Sequence, residues 1–577
     1  MTGDGRDSGA DGIEEGKRLI RLGGDKGLSL AERLADRFHR LTWRTPIHGM
    51  RLKGRHPLKL IAVPDDPFMG DPRRGNTLLD GEFSFHGERR KFAEFNFAKP
   101  DVSKGFSDWY HSFAWLRDLS TAATRPQATP VAEHLMRRWL AAHAESVGEP
   151  AWRADLWGRR ILFWTAHAPL ILSSTDLVYR SLVLNTLARG ARHIDRGADK
   201  LAPGAARVAA LCGVVAAGVL IPGGDARRGA TEAALAKALS VSVFEDGGSV
   251  ARSPAAQLDI IMLLTMLREV YASRRLEEPA ALGAVLVRMV PALLGVCHGD
   301  HGLSSWQGGG PVPGETIDQI IAATGVRARP LRQARDWGYQ RLAAGSAILI
   351  MDAAPPPVAR LVEGGCASTL AFEFSDGPNR LIVNCGGARA ALAQLPAALA
   401  DGLRTTAAHS TLTVGDSNST AIHADGTLGR GVGEVELARQ ESESSSRIEA
   451  SHDGYARRYG FVHRRQIVLA GDGRELRGED MLLPASKRRK LAATPFAIRF
   501  HLGQGVTVSP TADGMAALLR LPGGSLWQFR CRGGTLAIED SLWIDGEGRP
   551  QATQQLVVSG ESPAGGASVS WALKRAT

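Results

Sequence analysis

The stretch Arg404-Thr-Thr-Ala-Ala-His-Ser-Thr-Leu-Thr-Val-Gly-Asp416 holds the residues best suited to chemistry. His409 sits where loop-like residues give way to an alternating strand, with Leu412 and Val414 on one face. Arg404 can neutralise an acidic group, His409 can move a proton or bind a metal, and Asp416 can orient or ligate. The plain alternative is a strand-edge histidine bonded to a backbone carbonyl.

Two kinds of element must position this stretch. From about residue 110 to 325 the apolar pattern is helical. Val131, Leu135, Met136, Trp139 and Leu140 form one stripe, and Leu177, Leu184, Leu187 and Ala191 another, with Ser174 and Thr175 as N-caps. Leu258 to Val270 and Ala281 to Val296 are apolar almost all round, which predicts helices buried between helices. From about residue 336 the period becomes two. Asp376-Gly377 and Asp472-Gly473 read as hairpin turns between short strands, the pattern of an antiparallel β-sandwich. The boundary falls near Gly325 to Trp337. Residues 1–20 read as a disordered tail, 21–330 as a helical array or toroid, and 336–577 as the sandwich. Phe92, Phe95 and Phe97 belong to short strands or loops packed on the helices.

Composition narrows the function classes. A chain of 577 residues is long enough for about two to four domains with sizeable cores. Val208 to Pro222 is too short to cross a membrane and reads as a buried helix. The N-terminus has no basic region followed by an apolar run, so no signal peptide is expected. That places the protein in the cytoplasm, or in the periplasm or cell envelope if export takes another route. Cys212, Cys297, Cys366, Cys385 and Cys531 are too widely spaced for a disulfide framework or a cysteine zinc site. The net charge of +10 attracts polyanions, but it is scattered. The densest run, Lys487 to Lys490, reads as a solvated turn, and no nucleic-acid-binding pattern is present.

The chain resembles the heparinase II/III-like family of bacterial polysaccharide lyases. The resemblance rests on Asp108-Trp-Tyr-His-Ser-Phe-Ala-Trp-Leu-Arg-Asp118, Phe244-Glu-Asp-Gly-Gly-Ser-Val-Ala-Arg-Ser-Pro254 and His409-Ser-Thr-Leu-Thr-Val414. It rests also on His452-Asp-Gly-Tyr455, Val462-His-Arg-Arg465, Gly478-Glu-Asp480 and Arg499-Phe-His501. It implies a multidomain α + β protein, with an N-terminal α/α toroid (an incomplete helical barrel) before a C-terminal antiparallel β-sandwich. Such proteins cleave uronate-containing, often sulfated, chains by β-elimination. The carboxylate is neutralised, a Tyr or His removes the C5 proton, and an acid protonates the leaving 4-oxygen.

The catalytic candidates are His409, which matches the family's histidine, and Tyr455 and Tyr110, taken from the 6 tyrosines of the chain as possible phenolic bases. Arg404, Arg252, Trp109 and His111 are the substrate-binding candidates, the aromatic ones by stacking on sugar rings. His409, His463 and Asp416 are candidate zinc ligands, with Asp425 as an alternative to Asp416. Two departures from the family pattern bear on catalysis. Ser253-Pro-Ala-Ala-Gln-Leu258 holds neither member of the expected Tyr-His pair, and Gly204 to Leu211 shows no match to the neutralising Asn or His. The expected partner is an acidic polysaccharide or oligosaccharide, with a homodimer as the assembly. The competing reading is a non-catalytic carbohydrate-binding or scaffold protein with a degenerate lyase site.

Overall fold

The computed structural model describes residues 16–21, 48, 50, 52, 54, 57–391, 394–485 and 493–576. Helices occupy the region from Pro72 to Thr324, and antiparallel sheets most of the rest. The basic run Lys487 to Lys490 lies outside the described residues.

Helix Ala205–Leu220 is apolar on every side, so it can only sit among other helices. It packs on Ala154–Ala166, Arg228–Ser242 and Pro254–Ser273. Two glycines let the backbones touch. A Cβ at Gly158 would lie 2.0 Å from the Ala209 carbonyl oxygen, and one at Gly213 would lie 2.4 Å from the Gly158 Cα. Helix Arg125–His143 buries Leu135, Met136, Trp139 and Leu140, the stripe read from the sequence. Helix Leu177–Ile194 is capped by Asp176, whose carboxylate accepts from the Val178 and Tyr179 N–H groups; Ser174 and Thr175 are not the caps.

Tryptophans fill the helical core. Arg160 lies buried between Trp139 and Trp157, 4.2 and 4.3 Å from the ring centroids, and donates to the His111 carbonyl at 2.8 Å. Burial pulls its pKa well below the ordinary arginine range. The hairpin Glu82–Phe85 and Glu88–Lys91 packs on this core through Phe83, in contact with Phe95 and Tyr110 at 4.9 and 5.5 Å.

The nine-stranded sheet runs, edge to edge, Gly16–Arg21, Glu434–Glu441, Ser445–His452, Phe461–Ala470, Glu475–Pro484, Ala567–Arg575, Leu526–Arg532, Ala516–Arg520 and Thr507–Pro510. Residues 16–20, read as part of a disordered tail, therefore form an edge strand, paired from Gly16↔Arg439 to Arg21↔Glu434. The second sheet runs Thr535–Ile544, Pro550–Ser562, Thr494–Leu502, Asn379–Val383, Phe372–Asp376, Ala347–Asp352 and Tyr339–Ala344. Leu412–Val414 pairs beside Thr494–Leu502. Hairpins turn at Asp376-Gly377 and near Asp472-Gly473, where Gly377 and Gly473 take φ of 54° and 70°. One apolar core joins the sheets: Trp571 stacks on Phe372 at 5.5 Å, and Trp527 meets Phe374 at 5.4 Å.

Candidate functional site

His409 lies at the seam between the helices and the sheets, directly before Leu412–Val414, and is 1 % exposed. Its backbone is held from several directions through Ser410. The Ser410 N–H donates to Asn384 Oδ1 at 3.0 Å, and its carbonyl accepts from Arg465 at 2.8 Å. Its hydroxyl donates to the Val383 carbonyl at 2.7 Å and accepts from the His501 N–H at 3.0 Å. The His409 ring is fixed too. Nδ1 lies 2.7 Å from the Thr405 carbonyl, which can only accept, so Nδ1 carries the proton and Nε2 keeps a lone pair. Burial lowers the His409 pKa, opposed by the Thr405 hydrogen bond and by the charges of Asp352 and Glu373.

The seam brings together residues that the sequence alone did not single out. His298, from the loop after helix Ala280–Gly295, has Nε2 2.8 Å from Glu373 Oε2 and Nδ1 3.1 Å from the Ser375 hydroxyl. Glu373 Oε1 accepts from Asn384 Nδ2 at 3.0 Å, and Asn384 in turn receives Ser410. Burial lowers the His298 pKa despite the carboxylate, so the imidazole is neutral. A polar chain thus crosses from the helical half to the residue beside His409. The one sequence signal was a carboxylate inside the apolar strand Phe372–Asp376.

Several expected site residues hold the fold instead. Arg252 donates to the Trp337 carbonyl at 2.8 Å, to the Pro355 carbonyl, and to Asp352 Oδ1 at 2.5 Å. Asp246 of the same motif accepts the Asp336 and Trp337 N–H groups at 2.8 Å each. That motif fastens the helical half to the start of the sheets, which leaves Arg252 no free edge for a substrate. Arg404 is likewise turned inward, onto the Gly365 carbonyl at 2.8 Å and the Gly426 carbonyl at 2.6 Å. Trp109, Tyr110 and His111 are buried in the helical core, so the expected stacking surface for sugars does not exist there. Trp109 donates to Asp118, and His111 Nδ1 accepts from Trp139 at 3.1 Å. Burial holds the His111 pKa down to about 2 and pushes that of Tyr110 far up. Tyr455 is buried and donates its hydroxyl to the Leu412 carbonyl at 2.8 Å, which removes it as a free base.

The zinc set does not assemble. The Gly454 N–H donates to His452 Nδ1, His452 Nε2 meets His463 Nδ1 at 3.3 Å, and His463 Nε2 lies 2.7 Å from Asp480. Every ring nitrogen in that chain is engaged, so His463 offers no lone pair to a metal. Asp416 stands exposed in the turn after the strand, with φ of 50°. Asp425 bonds locally to Thr427. Among the described residues no three His, Cys, Asp or Glu side chains gather into a metal site. Asp480 instead collects Arg465 at 2.7 and 3.1 Å, His463, and Trp571 at 2.9 Å, all inside the apolar core. The Arg465 cation and the bonds from His463 and Arg465 hold its pKa far down against burial.

The arrangement of a helical half followed by an antiparallel sheet half matches known proteins. The profile described as "Heparinase II/III-like, C-terminal" matches residues 326–572. The chain belongs to the heparinase II/III-like family. It is 30% identical over 563 residues to FtsZ-localized protein C of Caulobacter vibrioides, covering 92% of each chain. Among solved structures it resembles Heparinase III, with TM-score 0.68, 12% identity, and 96% of this chain and 93% of that one covered. It also resembles the Streptomyces coelicolor A3 chondroitin AC lyase in complex with chondroitin sulphate, with TM-score 0.51, 12% identity, and 93% and 80% covered.

Proposed function

We propose that this protein is a polysaccharide lyase that cleaves an acidic, uronate-bearing polysaccharide or oligosaccharide by β-elimination, its helices forming a toroid on a β-sandwich. The observation that carries this reading is the His409 ring. Its Nδ1 is tied to Thr405, so Nε2 is the basic nitrogen, and burial keeps it unprotonated at neutral pH. In this reading the seam parts to admit the sugar, since His409 is buried; Nε2 then takes the C5 proton, the C4–O4 bond breaks and a C4–C5 double bond forms. The same imidazolium then returns the proton to the leaving oxygen, and no water is consumed. Asp352 and Glu373 favour the transient imidazolium. The test is to incubate the protein with a panel of uronate polymers and follow the ultraviolet absorbance of the unsaturated product. Turnover lost in His409→Ala is the expected result; folded protein with no product on any acidic glycan refutes it.

One observation favours a second reading, a glycan-binding scaffold without turnover. Five tyrosines, Tyr110, Tyr179, Tyr271, Tyr339 and Tyr455, are buried, and Tyr459 donates its hydroxyl to the Gly415 carbonyl at 3.1 Å. No phenol therefore stands ready to share the proton transfer with His409. The Caulobacter relative is named for localisation at FtsZ, which also suits a scaffold. This reading predicts glycan affinity that survives His409→Ala, with no product formed.

A further inference from the structure

A groove of about 850 Å³ stands apart from His409. It lies on the outer face of the nine-stranded sheet, the face turned away from the shared apolar core. The strand register puts a row of arginines across it. Arg447 pairs with Val468, Val468 with Arg477, Arg477 with Ala572, and Ala572 with Arg530. Residues directly opposite one another in a ladder share a face, so Arg447, Arg477 and Arg530 stand side by side, each two strands from the next. Arg532 lies two residues beyond Arg530 on the same strand and the same face.

Their bonding is unlike that of the buried arginines. The side chains of Arg477, Arg530 and Arg532 are exposed and make no hydrogen bond or ion pair within 4 Å among the described residues, although the charge of Arg530 acts on Asp513. Arg447 is braced by Glu449 at 2.5 Å and Gln466 at 2.8 Å. Of the two carboxylates that line the groove, Glu441 pairs with Arg332 and Arg439, while Glu479 accepts from the Ser568 hydroxyl and keeps its charge. With Arg477, Arg530 and Arg532 against Glu479, the groove presents an excess of positive charge with planar, bidentate donors, a chemistry suited to carboxylate and sulfate.

The spacing selects among polyanions. Two strand separations come to about 9.5 Å. Side chains on one face of an extended peptide repeat at about 6.7 Å, and adjacent phosphates along a nucleic-acid strand are likewise closer together than the arginines. A disaccharide is about as long as the arginine interval, so a polysaccharide with one anionic group per disaccharide offers charges in step with the row. We infer that the arginine row of Arg447, Arg477 and Arg530, with Arg532, is a second binding surface for an acidic polysaccharide, separate from the His409 seam. The surface rests on the acidic-polysaccharide reading above and extends it, giving a long chain a place to be held beyond the seam.

The experiment uses the full chain and Arg477→Ala/Arg530→Ala/Arg532→Ala, all three positions being exposed. Binding to a uronate polymer, to dextran, to poly-glutamate and to RNA is measured across a salt series, with matched melting curves as the folding control. The expected result is binding of the uronate polymer, none of dextran, and a loss of ten-fold or more in the triple variant with a shallower salt dependence. Equal affinity of variant and parent overturns the proposal. So does a preference for poly-glutamate or RNA over the uronate polymer. Turnover of an oligosaccharide too short to reach the row should be the same in variant and parent. Absence of product in both would count against the lyase reading alone and leave the binding result standing.

Discussion

At the seam, Arg252 commits its guanidinium to Trp337, Pro355 and Asp352, while on the outer sheet face the guanidinium groups of Arg477, Arg530 and Arg532 make no hydrogen bond among the described residues. The residue type is the same and the use is opposite. A buried guanidinium must have its donors satisfied or the desolvation cost goes uncompensated. An exposed one is satisfied by water and keeps its charge for a partner. Family motifs in this chain therefore mark the places where charge has been taken inside to fasten elements, as at Arg252, Arg465 and Asp480. The exposed arginines lie on the outer sheet face instead.

The contrast can be broken most severely at Asp480. Asp480→Ala strips Arg465 and His463 of their acceptor inside the core and should cost about 3–5 kcal/mol, read from denaturant midpoints. Arg252→Ala should come next, at about 2–4 kcal/mol, because it leaves Asp352 buried without its cation. Single alanine changes at Arg477, Arg530 or Arg532 should stay within about 0.5 kcal/mol on the same measurement. If they destabilise as much as Arg252→Ala, the outer face is structural and the contrast fails.

Acid sharpens the same contrast. His143 and His501 are held down to about 4 and about 3, and His298, His409, His452 and His463 are also lowered, all chiefly by burial. The unfolded chain takes protons at these histidines near pH 6.5 and the folded chain does not, so it binds more protons over the interval below that. Stability is then complete above about pH 6.5 and falls as pH drops toward the folded values, by up to about 1.4 kcal/mol per unit for each histidine. Melting temperatures from pH 8 to 4 test this, and a flat profile would contradict it. Glycan binding at the arginine row should be nearly constant from pH 8 to 6, since arginine does not titrate there. The smallest expected effect concerns thiols. Burial pushes Cys297, Cys366 and Cys385 up to about 12, so native protein should react with a thiol reagent far more slowly than unfolded protein.

Local features were legible in the sequence and non-local ones were not. The helical stripe ending at Trp139 and Leu140 and the two Asp-Gly turns depend on neighbours a few residues apart, and periodicity reports those directly. His409 was legible as a carbonyl-bonded residue at the start of a strand, and Thr405 is that carbonyl. Its surroundings were not, because Glu373, Asn384 and His298 come from distant segments. A period-two pattern cannot tell a strand with one wet face from Phe372–Asp376, where all five positions are buried. Trp109, Tyr110 and His111 misled for a similar reason: the same rings that stack on sugars also fill cores, and only packing decides.

The edge strand Gly16–Arg21 has a bearing on how the chain acquires its shape. Arg21 meets Glu434 at 2.9 Å across a separation of 413 residues. During synthesis the beginning of the protein must wait, unpaired, until its counterpart emerges, while the helices between them are free to fold. Closing so wide a loop belongs late in assembly, after the local contacts have formed. A short strand laid on last would close the edge of the nine-stranded sheet over Glu434–Glu441.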